Sequence, residues 1–362
     1  MTPDDPIAAA RAVLSEFEIT GELVELAPFE RGHIHDTSVS TWRTPEGLHR
    51  YLHQRINRKV FADVDGLMHN VERVTRHLEE RGEMASGGFH VLRLVPTRAG
   101  ESWLRHASGC WRTYDFIENT ESFDLCAGPQ QAYQAASAFG RFQACLRDLD
   151  PAELRVTIPR FFDAPHRLVQ LEEARARASA DRLCQATAEL EFVDARRELA
   201  PAFERLLAAG RVPRRIVHGD TKLNNVLFDR ATGEAVSVVD LDTCMPAWSL
   251  YDFGDLVRFT AATCAEDERD LSRARMDLGL YRALAEGYLE HAGAFLTRQE
   301  IELMPLAARL VTFMLGVRFL TDHLAGDVYF RVARPGHNLD RARVQLAIVA
   351  SMEASEAEMM VA

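Results

Sequence analysis

Residues 216–225 read Ile-Val-His-Gly-Asp-Thr-Lys-Leu-Asn-Asn, and residues 236–242 read Val-Ser-Val-Val-Asp-Leu-Asp. The first stretch sets His218, Asp220 and Asn225 at the H-x-D-x-x-x-x-N spacing of a phosphoryl-transfer loop, and Asp240 follows 15 residues after Asn225. That chemistry needs one carboxylate to orient the attacking hydroxyl and take its proton. It also needs an amide oxygen and a second carboxylate to hold Mg²⁺ on the phosphates. Asp220 suits the first role, and Asn225 with Asp240 the second. Between them lie an apolar run (Val226, Leu227, Phe228), a turn from Asp229 to Gly233 and another apolar strand, so a short hairpin brings the groups together. A lone His-x-Asp is most often a solvated, backbone-capping loop. The combination is far rarer and points to a kinase-type site.

Asp252-Phe253-Gly254 spells the protein-kinase metal motif literally, but it lies 27 residues past Asn225 and no strand leads into it. Tyr251 to Phe259 reads as the start of a helix with Asp252 as its N-terminal cap. Asp252 is therefore expected to hold the loop through its backbone, and Asp240 to bind the metal.

A chain of 362 residues can bury a large core and usually divides into two lobes or domains. Hydrophobic content of 47% and charged content of 27% are those of an ordinary globular enzyme. The sequence has no run of about 18 uninterrupted apolar residues and no apparent signal peptide, so the expected location is cytoplasmic. A net charge of −12 argues against nucleic acid or an anionic membrane as partner. The cysteines (Cys110, Cys126, Cys145, Cys184, Cys244, Cys264) are scattered without a C-x-x-C pair, and buried or partly buried free thiols are expected.

The fold class read from this pattern is α+β, a two-lobed protein-kinase-like architecture. Short strands are expected at 24–29, 37–42, 49–56, 90–95, 101–106 and 110–117. One long helix over 63–81 carries Val64, Leu67, Val71, Val74 and Leu78 on one face. This antiparallel sheet plus one helix forms an N-lobe, residues 1–117, that binds nucleotide. The C-lobe, residues 118–362, reads as mainly helical and carries the loop and the acceptor site. Its helices are expected at 130–149, 164–180, 181–209, 250–263, 271–292, 298–324 and 338–356, with the Ala-rich stretch 171–209 as a solvent-exposed insertion.

The loop between the first two strands, Phe29 to Thr37, is positioned to cover nucleotide phosphates. It has a single glycine, Gly32, with His33 and Thr37 as further donors. The third strand lacks the usual Lys and offers Gln54 or Arg55. Strand alternation turns only one of these inward. Glu72 on the long helix is the candidate to orient it. Tyr114 and Phe116, where the sheet meets the second lobe, complete the nucleotide-site candidates. At the acceptor end, Lys222 is placed to touch the transferring phosphate. Arg318, in an otherwise apolar helix, needs an acidic or hydroxyl partner, or a substrate to grip.

With these residues in hand, the chain resembles the aminoglycoside phosphotransferase and choline kinase superfamily, and within it the bacterial N-acetylhexosamine 1-kinases. The similar stretches are Gly32-His33-Ile34, Asn70-Val71-Glu72, Asp163 to Arg167, Asp220 to Asn225, Asp240 to Thr243, Met245-Pro246, Asp252 to Asp255, Arg318-Phe319-Leu320 and Gly326 to Phe330. The resemblance implies that ATP and N-acetylglucosamine or N-acetylgalactosamine give the sugar 1-phosphate and ADP. Asp220 would be the base, Asn225 and Asp240 the Mg²⁺ ligands, and Thr243, Arg318 and Tyr329 would line the amino-sugar site. The missing strand Lys resembles a trait of that branch. Two other readings compete: a related kinase for another sugar, an aminoglycoside, choline or homoserine, and a non-catalytic nucleotide-binding regulator. The latter usually lacks the base or a metal ligand, whereas both are present here.

Overall fold

In the computed structural model, which describes residues 5–29, 34–81 and 89–360, a short helix α1 (Pro6–Arg11) leads into a meander of three strands. These are β1 (Glu22–Pro28), β2 (Asp36–Thr44) and β3 (Gly47–Arg55). Strands β2 and β3 pair without interruption from Asp36–Arg55 to Thr44–Gly47, where Gly47 (φ 138°) makes the tight turn. Helix α2 (Val64–Arg81) buries the stripe Val64, Leu67, Val71, Val74 and Leu78 read from the sequence, with Met68 added. Strands β4 (Leu104–His106) and β5 (Gly109–Asp115) complete a five-stranded antiparallel sheet of order β1-β2-β3-β5-β4.

The expected strand at 90–95 is a correction. Its backbone donors go to two different partners, His90 N to Val236 O and Val95 N to Thr113 O, so it forms single bridges and no ladder. The chain leaves the sheet after Asp115 and passes β6 (Thr120–Glu121) into a mainly helical half. Next come α3 (Pro129–Cys145), α4 (Ala164–Arg177), α5 (Ala180–Gln185), α6 (Thr187–Asp194) and α7 (Ala202–Ala208). Residues 171–209 are not an exposed insertion. Leu171, Leu190, Val193, Ala200 and Phe203 lie in the main core, and ion pairs Arg196–Glu353 and Arg343–Glu189 fasten the segment to the helix His337–Ala354. Alanine content does not separate the two cases, because small side chains also permit close helix packing.

Four short strands follow: β7 (Arg215–Val217), β8 (Val226–Asp229), β9 (Ala235–Val238) and β10 (Met245–Ala247). Strand β7 pairs with β10, and β6, β8 and β9 form a three-stranded sheet. The remaining helices are α8 (Leu250–Thr260), α9 (Leu278–Ala292), α10 (Arg298–Glu302), α11 (Met304–Ala325), α12 (His337–Ala354) and α13 (Glu356–Met359). Several expected helices are shorter or more broken than read: the one over 181–209 is divided into α5, α6 and α7, and the one over 130–149 ends at Cys145. Residues 271–273 make only a 3₁₀ turn ahead of the Asp277 cap of α9, and the expected helix 298–324 breaks at Leu303, just before Pro305. Helix α11 has the length and apolarity of a membrane span, yet most of it is buried among α4, α8 and α12, and it stops at Gly326 (φ 103°).

Candidate active site

Strand β7 delivers the chain into His218, Gly219 and Asp220. The His218 ring sits edge-on to Phe139 and Phe142, at 5.3 and 5.6 Å between centroids, and burial lowers its pKa. The neutral ring donates from Nε2 to Val239 O at 2.9 Å, which ties the loop to the end of β9. Gly219 has φ 84°, and a Cβ there would lie 2.7 Å from Thr243 O, so no other residue fits. Asp252 accepts from His218 N at 2.7 Å, Gly219 N at 2.8 Å and Gln143 Nε2 at 2.5 Å. It therefore scaffolds the loop, as read from the sequence. Its place is a correction in detail: helix α8 starts at Leu250 after Ser249, so Asp252 belongs to the first turn and is not the cap.

Asp220 is held from two sides. Lys222 Nζ is 2.8 Å from its Oδ2, and Asn225 Nδ2 donates to its carbonyl at 2.9 Å and to Oδ2 at 3.1 Å. Burial opposes the Lys222 charge, but Asp220 and Asp240 outweigh it and raise the ammonium pKa. Asn225 Oδ1 takes no hydrogen bond among the described residues. Asp240 adopts φ 65° and ψ 62°, a left-handed conformation that costs a non-glycine residue about 1–2 kcal/mol. Its carboxylate has no hydrogen-bond or ion-pair partner among the described residues. Desolvation, then the nearby Asp242 and Asp220 charges, push it up to about 6. An unpartnered carboxylate raised by burial is stabilised by a divalent cation. The donor set of one carboxylate and one amide oxygen suits Mg²⁺, which completes its shell with phosphate and water. Accordingly, the described residues contain no self-sufficient cluster of three His, Cys, Asp or Glu.

At the nucleotide end, Gly32 and His33 lie outside the described residues. Thr37 lies opposite Gln54 on β3, and its hydroxyl donates to His35 O at 3.4 Å. Their partners show which way Gln54 and Arg55 turn. Gln54 Oε1 accepts from Arg112 Nε at 2.9 Å, whereas Arg55 Nε turns outward to Asp36 at 2.7 Å. Glu72 is a correction: its carboxylate takes the Ser102 hydroxyl and engages neither strand residue. Tyr114 is a second correction, since it is 4% exposed and packs in the core under Arg112. Phe116 lies beyond the end of β5, its ring 4.0 Å from the Arg50 guanidinium and edge-on to Phe29.

At the other end, Thr243 donates its hydroxyl to His218 O at 2.8 Å and is buried, so it braces the loop and does not face an acceptor. Among the described residues Arg318 has no ion-paired acid, and its hydrogen-bond partner is the Tyr329 side chain, the hydroxyl alternative read from the sequence. Its guanidinium lies over the rings of Tyr329 and Phe330, at 5.9 and 5.3 Å. Both aromatics are set by Asp322, whose carboxylate accepts the backbone N–H groups of Val328, Tyr329 and Phe330. These residues and Arg167 line a cavity of about 400 Å³ between α4 and the C-terminal end of α11. Cys244, beside the loop, is buried with its thiol pushed well up, as an inert core residue. Cys184 is exposed, unlike the buried thiols expected.

The model of the APH phosphotransferase enzyme family matches residues 25–300. The chain belongs to this family. Three solved structures resemble the phosphotransferase along nearly its whole length. An aminoglycoside phosphotransferase from Alicyclobacillus acidocaldarius superposes with a TM-score of 0.63 at 18% identity, covering 95% of each chain. A microcompartment-associated aminopropanol kinase gives 0.57 at 14%, covering 98% of this chain and 99% of that one. A choline kinase from Cryptosporidium parvum gives 0.57 at 13%, covering 97% and 96%. At such identities the likeness is one of fold, and it bears out the protein-kinase-like class read from the sequence.

One group in the phosphotransferase escaped the sequence reading. Asp242, two residues past Asp240, is buried and receives Arg112 through both terminal nitrogens, Nη1 to Oδ1 at 2.5 Å and Nη2 to Oδ2 at 2.9 Å. His35 Nε2 reaches the same carboxylate at 2.5 Å. Arg112 stands in an otherwise strand-like run, and only the register that sets it opposite Gln54 reveals its direction.

Proposed function

We propose that this phosphotransferase moves the γ-phosphoryl group of ATP to the anomeric hydroxyl of an N-acetylhexosamine, GlcNAc or GalNAc, giving the sugar 1-phosphate and ADP. The observation that carries this reading is the pairing of Asp220, held by Lys222 and Asn225, with an unpartnered Asp240 across the hairpin. Asp220 orients the anomeric hydroxyl and takes its proton. Lys222 is within reach of equatorial oxygens on the phosphoryl group in flight. Asn225 Oδ1 and Asp240 would hold Mg²⁺, which would offset the charge of the phosphates.

The choice of acceptor is supported by the resemblance described above, which extends through Arg318-Phe319-Leu320 and Gly326 to Phe330 on the cavity wall. Charge points the same way. Arg167 and Arg318 face this cavity, Asp322 is saturated by loop amides, and Glu173 is exposed and paired with Arg177. Such a wall suits a neutral, hydroxyl-rich acceptor better than a cation such as choline or an aminoglycoside. ADP release across GlcNAc, GalNAc, other hexoses, an aminoglycoside, choline and homoserine tests the proposal, with ³¹P NMR of the product. Turnover of an N-acetylhexosamine to an anomeric phosphate is expected. Preference for a cationic acceptor would replace this reading with the related-kinase one, and no turnover of any alcohol would favour the nucleotide-binding regulator.

A further inference from the structure

The Asp242 carboxylate is the point where three separate pieces of the sheet half meet the turn that carries Asp240. Arg112 comes from β5 and grips it through two parallel N–H···O bonds. Gln54 on β3 holds Arg112 by its Nε, which fixes the plane of the guanidinium. His35, just ahead of β2, supplies the third contact. Its Nδ1 accepts the backbone N–H of Asn57 at 3.0 Å, so the ring proton resides on Nε2 and points at Asp242. Arg112 and Asp242 are 1% and 2% exposed. From the opposite side, Thr243 secures the same turn to His218. Asp240 thus keeps its left-handed backbone between anchors on both halves of the molecule. Glu72, which faces Ser102, contributes nothing to this set.

We propose that Arg112, Asp242 and His35 form a positioning set for the metal turn: a strand cation reaches directly to the turn's own acid and holds Asp240 where a metal-nucleotide needs it. The inference rests on the phosphotransferase reading but not on which acceptor is used. Partners that orient a metal ligand typically affect metal affinity when removed. Removing only one charge of a buried pair would strand the other and unfold the protein, so the informative variant is the doubly neutral Arg112→Gln with Asp242→Asn. His35→Phe, which keeps a ring against Phe61 but removes the donor to Asp242, is the milder probe.

Calorimetric titration with MgADP and with ADP in EDTA, on wild type and both variants, separates the contributions. Wild type that binds MgADP no more tightly than ADP in EDTA overturns the nucleotide site and the positioning set together. With that difference established, the double variant is expected to lose about tenfold or more in MgADP affinity. Its metal-free ADP affinity should stay near that of wild type. Equal losses with and without Mg²⁺, or no loss in either, would overturn the positioning role while leaving the phosphotransferase assignment intact. Should the double variant not fold, His35→Phe decides alone: a loss confined to the Mg²⁺ titration supports the proposal, and unchanged binding overturns it.

Discussion

Asp220 shows what a single residue contributes here. Its carboxylate receives two side-chain donors and lies beside an uncompensated Asp240. Replacing it by Asn preserves shape and removes the proton acceptor. Asp220→Asn is expected to lose at least roughly 10²-fold in kcat. Nucleotide affinity should change little, because Asn225 and Asp240 remain. Steady-state rates at saturating acceptor, with a separate nucleotide titration, check both halves, and near-normal turnover would remove Asp220 from its proposed role. At the same scale, the spacing from His218 to Asp240 was legible because side chains on one short hairpin stay near one another. Thr243 and Glu72 were not. Each belongs to a familiar stretch, yet a neighbour distant in sequence claims its polar atoms, His218 O in one case and Ser102 in the other.

Between elements, the tightest constraint is the crossing of α3 and α9. A Cβ on Gly140 would lie 2.3 Å from Tyr288 O, and one on Gly287 would lie 2.2 Å from Tyr133 O. Neither obstacle is a movable side-chain tip, so the helices would have to separate. Gly287→Ala is expected to destabilise the protein by about 1–3 kcal/mol. A lowered thermal midpoint, with activity retained at low temperature, is the corresponding measurement, and an unchanged midpoint would contradict this packing. A related approach explains the glycine of Asp252-Phe253-Gly254: a Cβ on Gly254 would meet Ala307 O at 2.6 Å, so it serves the packing of α8 on α11. Helix α2 was readable because its apolar stripe repeats every turn. The segment 90–95 was misread because strand-like composition cannot say whether one partner or two will take the hydrogen bonds.

For the molecule as a whole, Asp252 links the 218–219 backbone to α8 and, through Gln143, to α3. Desolvation dominates over the His218 contacts and raises its carboxyl to about 6 from 3.8. The folded state then binds the proton more tightly than the unfolded chain does. The stability this group contributes is complete below pH 4 and is lost as pH rises through about 6. Asp252→Asn cannot titrate, and it lacks one acceptor for the two loop amides. The variant should be less stable overall, and its gap to wild type should narrow by about 1–3 kcal/mol between pH 4 and 7. Denaturant unfolding at several pH values measures that gap, and a gap that widens with pH would mean the amide contacts outweigh burial.

The sequence alone determined the fold class, the strand–loop–hairpin order and the identity of Asp220, Lys222, Asn225 and Asp240 as neighbours. Those follow from local periodicity and from spacing along one continuous stretch of chain. Tertiary structure alone decided that Gln54 turns inward, that Asp322 sets Tyr329 beside Arg318, and that Arg112 and His35 converge on Asp242. Apart from the local Asp322 turn, the reason is that these partners are separated by long stretches of chain. Strand register and helix packing bring such charges together, and neither is written in the spacing of the residues themselves.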